Sequence, residues 1–171
     1  DNMLLKWGDK SDVLFAPHHW PSWGTEEIKK HVSQQRDTYK YMHDQVLRLA
    51  NHGYTMDEIG DMIKLPNSLD NNWASHGYYG SISHNVRAIY NFYLGYFDGN
   101  PAHLHKLPPE PAAKKYVEFM GGAENVIKQA KKTYAKGEYR WTAEVLSHVV
   151  FAEQNNKEAK NLLADTLEQL G

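Results

Sequence analysis

The chain has 171 residues, 41% of them hydrophobic, which is the size and composition of one globular domain with at most an appendage. Nineteen Lys and Arg against 21 Asp and Glu leave a formal charge of -2, and no apolar run approaches the roughly 20 residues of a membrane span, so we expect neither nucleic-acid binding nor a membrane-spanning helix. Because cysteine is absent, any metal site must use His and carboxylate ligands, which gives the ten histidines added weight.

The first 24 residues differ from the rest of the chain. The run "DVLFA" at 12–16 is short, apolar and β-favouring, and it is bounded by Asp12 and Pro17. A single strand needs a hydrogen-bonded neighbour to be stable. We therefore interpret residues 1–24 as the end of a sheet-containing domain that lies upstream, and the chain as a fragment of a longer protein.

Two adjacent histidines follow this run, in "LFAPHHWPSWG" at 14–24. A strand that ends in Pro-His places His18 on a loop at the edge of the sheet, where an imidazole nitrogen can meet a metal ion. The alternative is that His18 and His19 are packed or hydrogen-bonded side chains in an aromatic turn. The residues alone leave both interpretations open.

From Thr25 onward the sequence predicts helices. Thr25 as N-cap and Gly53 as the C-terminal glycine delimit one long helix over 26–52, and Thr55 with Glu58 forms a capping box that starts a short second helix ending before Pro66. A polar loop is expected at 66–72. Apolar residues at helical spacing support the long helix and a later one that is stopped by "DGNP": Ile28, Val32, Tyr39, Met42, Val46 and Leu49 in the former, and Ile82, Val86, Ile89, Tyr93 and Phe97 in the latter. Four further helices are expected near 110–120, 123–136, 138–154 and 157–170.

The C-terminal third has short turns and regularly placed alanines, which let neighbouring helices approach closely and resemble tetratricopeptide hairpins. The predicted fold class is therefore all-α: a multi-helix bundle with tetratricopeptide-like C-terminal hairpins, preceded by a short strand. The same pattern sustains an alternative function, a non-enzymatic helical module that binds a partner protein. A repeat protein would show its period throughout, however, and residues 1–110 show none.

The segment "WASHGYYGSISHN" at 73–85 combines glycines, tyrosines and histidines at the start of a predicted helix. Its glycines allow the backbone to approach a ligand, and Ser81 or Ser83 can cap the helix that follows. Free N–H groups at a helix N-terminus, with His, Tyr and Arg donors beside them, suit an anionic group. The alternative is an aromatic core beside a capped helix.

Two motifs together carry a family resemblance. "DVLFAPHHWPSWG" at 12–24 and the run "NNWASHGYYGSISHNVRAIYNFYLGYFDGNPAHLHKLPP" at 71–109 resemble the alkylsulfatases of the metallo-β-lactamase superfamily, the dodecyl sulfate hydrolases. The resemblance implies a catalytic domain that ends within residues 1–24 and a helical dimerisation domain over 25–171. It also implies hydrolysis of alkyl sulfate esters to alcohol and sulfate, an upstream metallo-β-lactamase domain, a homodimer, and a bacterial periplasmic or secreted location.

The resemblance implies two zinc ions per active site, but the chain lacks the family's H-x-H-x-D-H motif. "HLH" at 103–105 continues as "KLPP", without the Asp-His that the motif requires. Two zinc ions need about six protein ligands, of which this chain supplies at most one, so we expect it to be inactive alone.

By resemblance, the loop at 73–85 helps to build the sulfate pocket. His76 is preferred over His84 as the catalytic acid that protonates a departing oxygen. The metal ligand is His18, with His19 as the close alternative. The predicted substrate-binding residues are His19, Tyr78, Tyr79, Asn85 and Arg87.

The segment Tyr90 to Phe97 is rich in aromatic residues. It is interpreted either as a core helix, or as a surface that lines an alkyl-chain route or packs across the dimer. The apolar stripe of the helix over 26–52 and this aromatic segment are together expected to form the homodimer interface.

Overall fold

The computed structural model describes residues 2–78 and 80–171, and at His19 it describes the backbone alone. The chain divides into two compact units, of which the first ends at Pro101 and the second spans Ala102–Gly171. Residues 12–24 pack against the long helix within the first unit. The contacts within this chain thus divide it after Pro101. The domain boundary inferred from the sequence at residue 24 remains a prediction.

The first unit is mainly helical. Its described residues contain five α-helices, two strands and a 3₁₀ turn: α1 Asn2–Trp7, β1 Val13–Ala16, β2 His19–Trp23, α2 Thr25–Asn51, α3 Met56–Met62, α4 Asn67–Asp70, the 3₁₀ turn Trp73–Ser75, and α5 Ile82–Leu94. Its core lies where α2, α3 and α5 meet, and the buried members are Met42, Val46, Leu49, Ile59, Ile63 and Val86. The all-α prediction with a short strand element is confirmed.

Helix α2 is delimited by local signals that the sequence carries. Glu26 and Glu27 lie in its first turn, where their charges favour the positive end of the helix dipole. At its C-terminus Gly53 has φ +86°, and the N–H groups of Gly53 and Tyr54 donate to Ala50 O and Leu49 O respectively. This is the Schellman arrangement, which confirms Gly53 as the predicted stop.

The start of α2 corrects one prediction. Gly24, not Thr25, is the N-cap residue, and Thr25 is the first helical residue. Its hydroxyl donates to Ser11 O at 3.3 Å, a carbonyl in the segment before β1. The predicted N-cap was therefore wrong by one residue, because the Thr25 hydroxyl makes a tertiary contact instead of capping the helix.

The strand at 13–16 is paired, which corrects the expectation of a lone strand. β1 pairs antiparallel with β2, with Val13 opposite Trp23, Leu14 opposite Ser22 and Ala16 opposite His19. Pro21 obscured the second strand, since proline lacks an N–H and is tolerated in sheets chiefly on edge strands such as this one. A short helix, α1, precedes the hairpin, so residues 1–24 are not purely strand and loop.

Two boundaries near the loop and α5 also differ from expectation. The polar segment at 66–72 contains one helical turn, α4, because Pro66 precedes it as N-cap and Asn71 N–H donates to Asn67 O. Helix α5 ends at Leu94 rather than at Phe97, because Gly95 has φ +81°. Tyr96 and Phe97 therefore lie beyond the helix.

The second unit consists of four helices, and the four predicted from sequence are confirmed. They are α6 Pro109–Phe119, α7 Ala123–Ala135, α8 Tyr139–Ala152 and α9 Lys157–Glu168. Helix α8 is central, since it packs against α6, α7 and α9. Its buried residues Val145, Leu146 and Val149 form one core with residues of the other three helices.

Candidate functional site

A cleft of about 570 Å³ lies within the first unit, where the β-hairpin, α2 and the loop before α5 meet. Three groups of residues line it: Ala16, Pro17 and His18 of the hairpin; His31, Gln35, Thr38, Tyr39 and Met42 of α2; and Trp73–Tyr78, Gly80–Ile82 and Asn85 of the loop and α5. The cleft therefore joins segments that are far apart in sequence. It brings together the His-His turn and the glycine-flanked loop.

The loop is fixed to α2 by hydrogen bonds. Gln35 Nε2 donates to Ala74 O at 2.8 Å, and the hydroxyls of Thr38 and Ser75 are 3.2 Å apart. Thr38 Oγ1 donates its proton to Gln34 O at 2.9 Å, so Ser75 must donate to Thr38. These hydrogen bonds therefore anchor Ala74 and Ser75, directly before His76, to α2.

His76 lies in this cleft with a defined orientation. Its Nε2 is 2.9 Å from Asp70 O. A carbonyl can only accept, so Nε2 carries the proton and Nδ1 is the ring nitrogen left for another partner. The ring of Tyr78 lies 6.2 Å from that of His76, centroid to centroid.

Glycines make the tight course of the loop possible. A Cβ at Gly77 would overlap the carbonyl oxygen of Gly80, and a Cβ at Gly80 would lie 3.2 Å from Asn85 Oδ1. The loop backbone therefore lies directly against the side chain of Asn85. Ser81 is the N-cap of α5 and accepts from His84 N–H at 3.2 Å, which confirms Ser81 rather than Ser83 as the cap.

Comparison with known proteins identifies the family. A family model described as "Alkyl sulfatase dimerisation" matches residues 55–171, more than half of the chain. The chain belongs to the alkyl sulfatase dimerisation family. The resemblance noted in the sequence is thereby confirmed.

Relatives of the alkyl sulfatase dimerisation chain are similar over its whole length. It is 57% identical to a linear primary-alkylsulfatase of Pseudomonas sp., over 99% of this chain and 25% of that protein. It is 51% identical to an alkyl/aryl-sulfatase of Saccharomyces cerevisiae, over 100% of this chain and 26% of that protein. The chain thus spans about a quarter of the length of these relatives.

A solved structure supports the fold of this alkyl sulfatase dimerisation chain. The stereoselective inverting sec-alkylsulfatase Pisa1 from Pseudomonas sp. superposes with a TM-score of 0.95 at 46% identity, over 99% of this chain and 27% of that one. At this identity the likeness extends beyond fold to family.

Within the dimerisation family chain, the predicted site residues fall into two groups. His18, His76, Tyr78 and Asn85 line the cleft. Tyr79 lies outside the described residues, and of His19 only the backbone position in β2 is described.

His84 and Arg87 are not among the residues that line the cleft. His84 is exposed in the first turn of α5. Arg87 is directed at α3, where its guanidinium contacts Asp57 and Asp61. Their predicted catalytic and substrate-binding roles gain no support from these positions.

Three cleft residues of α2 were missed by the sequence analysis: His31, Gln35 and Thr38. Gln35 occupies a position where the helical spacing calls for an apolar residue. A polar residue on an otherwise apolar face was the available signal, because a polar group there needs a hydrogen-bond partner.

The described residues do not build a complete zinc site. Among residues 2–78 and 80–171, no cluster of three or more His, Asp or Glu side chains is placed to hold a metal ion. His18 is in the cleft but has no such set around it. No helix of the described chain is both long and apolar enough to cross a membrane.

Proposed function

We propose that this chain is the helical dimerisation part of a zinc-dependent alkylsulfatase, which hydrolyses alkyl sulfate esters such as dodecyl sulfate to alcohol and sulfate. We further propose that its cleft contributes to the sulfate pocket. One observation supports this most: residues predicted separately from two motifs, His18 from one and His76, Tyr78 and Asn85 from the other, line a single cleft. The names of the two relatives described above, a linear primary-alkylsulfatase and an alkyl/aryl-sulfatase, agree with it.

The cleft has donors suited to an anionic ester. Helix α5 begins at its edge, and the first turn of a helix presents backbone N–H groups that make no intrahelical bond. The Asn85 amide adds a neutral donor, held against Gly80. A sulfate group bound there would face both donors without a carboxylate among the cleft-lining residues to repel it.

His76 is suited to act as general acid. With Nε2 donating to Asp70 O, a protonated ring can release the proton on Nδ1 to the oxygen that leaves when the ester is cleaved. The neutral ring that remains keeps its bond to Asp70, so its orientation is unchanged by the transfer.

We propose zinc as the cofactor, two ions per active site, with at most one ligand from this chain, His18. Zinc supplies Lewis acidity and an activated water to hydrolases of this kind. We propose that the other ligands belong to an upstream metallo-β-lactamase domain, the arrangement that the family resemblance implies.

This proposal predicts that the full-length enzyme depends on zinc whereas the 171-residue chain does not bind it tightly. The full-length enzyme should release sulfate from dodecyl sulfate, lose that activity on chelation, and regain it when zinc is added. Ion chromatography of sulfate measures the activity, and equilibrium dialysis measures zinc uptake by the chain. Activity that survives verified removal of zinc, or stoichiometric zinc binding by the chain with a dissociation constant below about a micromolar, would contradict the assignment.

We propose that the chain forms a homodimer through the region from Glu26 to Phe97. The α2 stripe predicted for this interface is largely used inside the unit, since Ile28, Met42, Val46 and Leu49 are buried there. The aromatic segment is different: Phe92 is 80% exposed and Tyr96 is 90% exposed. The interface is therefore assigned to the end of α5 and the residues after it. The family name, which refers to dimerisation, agrees with self-association.

An obligate two-fold interface would bury above about 2,000 Å², and a charge at its centre should break it. We expect Phe92→Asp to convert the dimer to monomer in sedimentation equilibrium at micromolar concentration. Phe119→Asp is the matched control, because Phe119 is 92% exposed but lies in the second unit, and it should leave the dimer intact. A monomeric unsubstituted enzyme, or a dimer that tolerates Phe92→Asp, would overturn this assignment.

A further inference from the structure

Helix α5 has two opposite faces with different partners. Ser81, Ile82 and Asn85 face the cleft. Ser83 and Arg87, which are one helical turn apart, lie on the other side, where α5 packs against α3. Whatever fixes the α3 side of this helix therefore also fixes its cleft side.

The side chain of Arg87 joins α5 to α3. Its Nε is 3.1 Å from Asp57 Oδ1, and its Nη2 is 3.4 Å from Asp61 Oδ1. Its Nη1 turns back to the first turn of α5, where it donates to Ser83 O at 3.2 Å and to the Ser83 hydroxyl. With 21% of the side chain exposed, the guanidinium is largely enclosed and all three of its nitrogens are engaged.

Gly60 provides the space for this guanidinium. It is a buried residue in the interior of α3, between the two aspartates in sequence. A Cβ at this position would lie 2.6 Å from Arg87 Nη1 and 2.8 Å from Nε. Glycine is a poor helix former, so a glycine in a helix interior needs a packing reason. Here the reason is that the Arg87 guanidinium occupies the space that a larger side chain would fill.

We propose that Arg87 is a positioning residue of the alkylsulfatase site and not a ligand of the substrate sulfate. By tying Ser83 to α3, it holds the first turn of α5, and with it Ser81 and Asn85, at the edge of the cleft. This inference rests on the proposed function, because it concerns the same cleft. It replaces the substrate-binding role that the sequence suggested for Arg87.

The two roles predict different behaviour of three variants of the full-length enzyme. Arg87→Met removes the guanidinium. Gly60→Ala keeps the charge but pushes the guanidinium off its seat, and the new alanine favours the helix. The double variant Asp57→Asn with Asp61→Asn keeps the guanidinium but weakens its hold on α3.

For a positioning residue, all three variants should lower kcat for dodecyl sulfate hydrolysis, by about tenfold, with little change in KM. Displacing reacting groups by about 1 Å can cost about a hundredfold, and a partly loosened turn should cost less. Arg87→Lys should recover part of the loss, because an ammonium can still reach one aspartate. If Arg87 were instead a ligand of the substrate sulfate, only Arg87→Met should change the kinetics, by raising KM and weakening inhibition by inorganic sulfate. The double aspartate variant should then bind sulfate as well as the parent enzyme does, or better.

Tyr41→Phe is the matched control for stability. It removes a 3.1 Å hydrogen bond from α2 to Lys64 O, near the end of α3, and Tyr41 does not line the cleft. It should lower the melting temperature without changing kcat. If Gly60→Ala and the double aspartate variant keep full kcat, Arg87 is not a positioning residue.

The proposed function is tested separately by His76→Ala. Loss of turnover in His76→Ala with full kcat in Gly60→Ala would refute the role of Arg87 and retain the cleft. Full turnover in His76→Ala would refute the catalytic role proposed for His76 in this cleft.

Discussion

Replacing His76 by Ala in the full-length enzyme should reduce turnover of an alkyl sulfate by about 10² to 10³-fold, equivalent to about 2.7 to 4 kcal/mol of transition-state stabilisation. The ring is exposed, and its single described hydrogen bond is to Asp70 O, so its removal should cost little folding free energy. The large effect is expected because the group matters only when charge develops on the departing oxygen. Initial rates of sulfate release, together with thermal melting, measure the two quantities.

Two further histidine variants make this test specific. His52→Ala removes an exposed histidine at the end of α2, outside the cleft, and should leave turnover unchanged. His84→Ala examines the alternative acid. A loss confined to His84→Ala would move the role to the first turn of α5, and a loss in neither would leave both histidines without a role in proton donation.

A leaving group with a low pKa should shrink the effect of His76→Ala. When the S–O bond breaks, the departing oxygen of a nitrophenol sulfate needs no proton, whereas the alkoxide that leaves from dodecyl sulfate does. We therefore expect the aryl ester to be much less sensitive than dodecyl sulfate to the substitution. Equal sensitivity of both esters would assign His76 to sulfate binding instead of proton donation.

Most helices could be predicted because residues close to each helix end in the sequence determine where the helix starts and stops. The capping box of Thr55 and Glu58 is present, and Glu58 Oε2 accepts from Thr55 N–H at 2.8 Å. This hydrogen bond lowers the pKa of Glu58. Gly53 and Gly121 have positive φ just beyond the ends of α2 and α6, as stop signals require. Such signals involve residues a few positions apart, so no knowledge of the tertiary fold is needed to find them.

The hairpin could not be predicted in the same way. β2 contains Pro21, and β1 is four residues long, so neither stretch shows the alternating pattern of a typical strand. What pairs them is their proximity across a tight turn and their packing against α2. Tertiary context therefore overrides a weak local preference here.

The site was predicted in part for a related reason. His76 and Asn85 could be named because they lie in one glycine-flanked motif. Gln35 and Thr38 could not, because their bonds to the loop connect residues 37 to 39 positions apart. A sequence shows that Arg87 lies near this motif but not which face of α5 carries it, and in the structure it contacts α3.

The second unit offers the largest predicted effect on stability. Leu146 is 0% exposed, and it lies at the middle of α8, the helix that packs against α6, α7 and α9. Truncation to Ala would leave a cavity in the core that Leu146 forms together with Val126, Val149 and Ala159, residues that three different helices contribute. Neighbours held by several helices cannot easily collapse into such a space.

Leu146→Ala should therefore lower the free energy of unfolding by about 2 to 5 kcal/mol, the range for buried leucines. Leu167→Ala is the matched control, because it removes the same atoms from a side chain that is 52% exposed on α9, and it should stay within about 0.5 kcal/mol. Urea unfolding is followed by the fluorescence of Trp141, a residue of α8, which reports on this unit. The measurement uses a parent protein in which every other tryptophan is replaced. Equal losses in the two variants would show that α8 is not the centre of the core. A loss with unchanged m-value would locate the effect in the folded state, as a cavity requires.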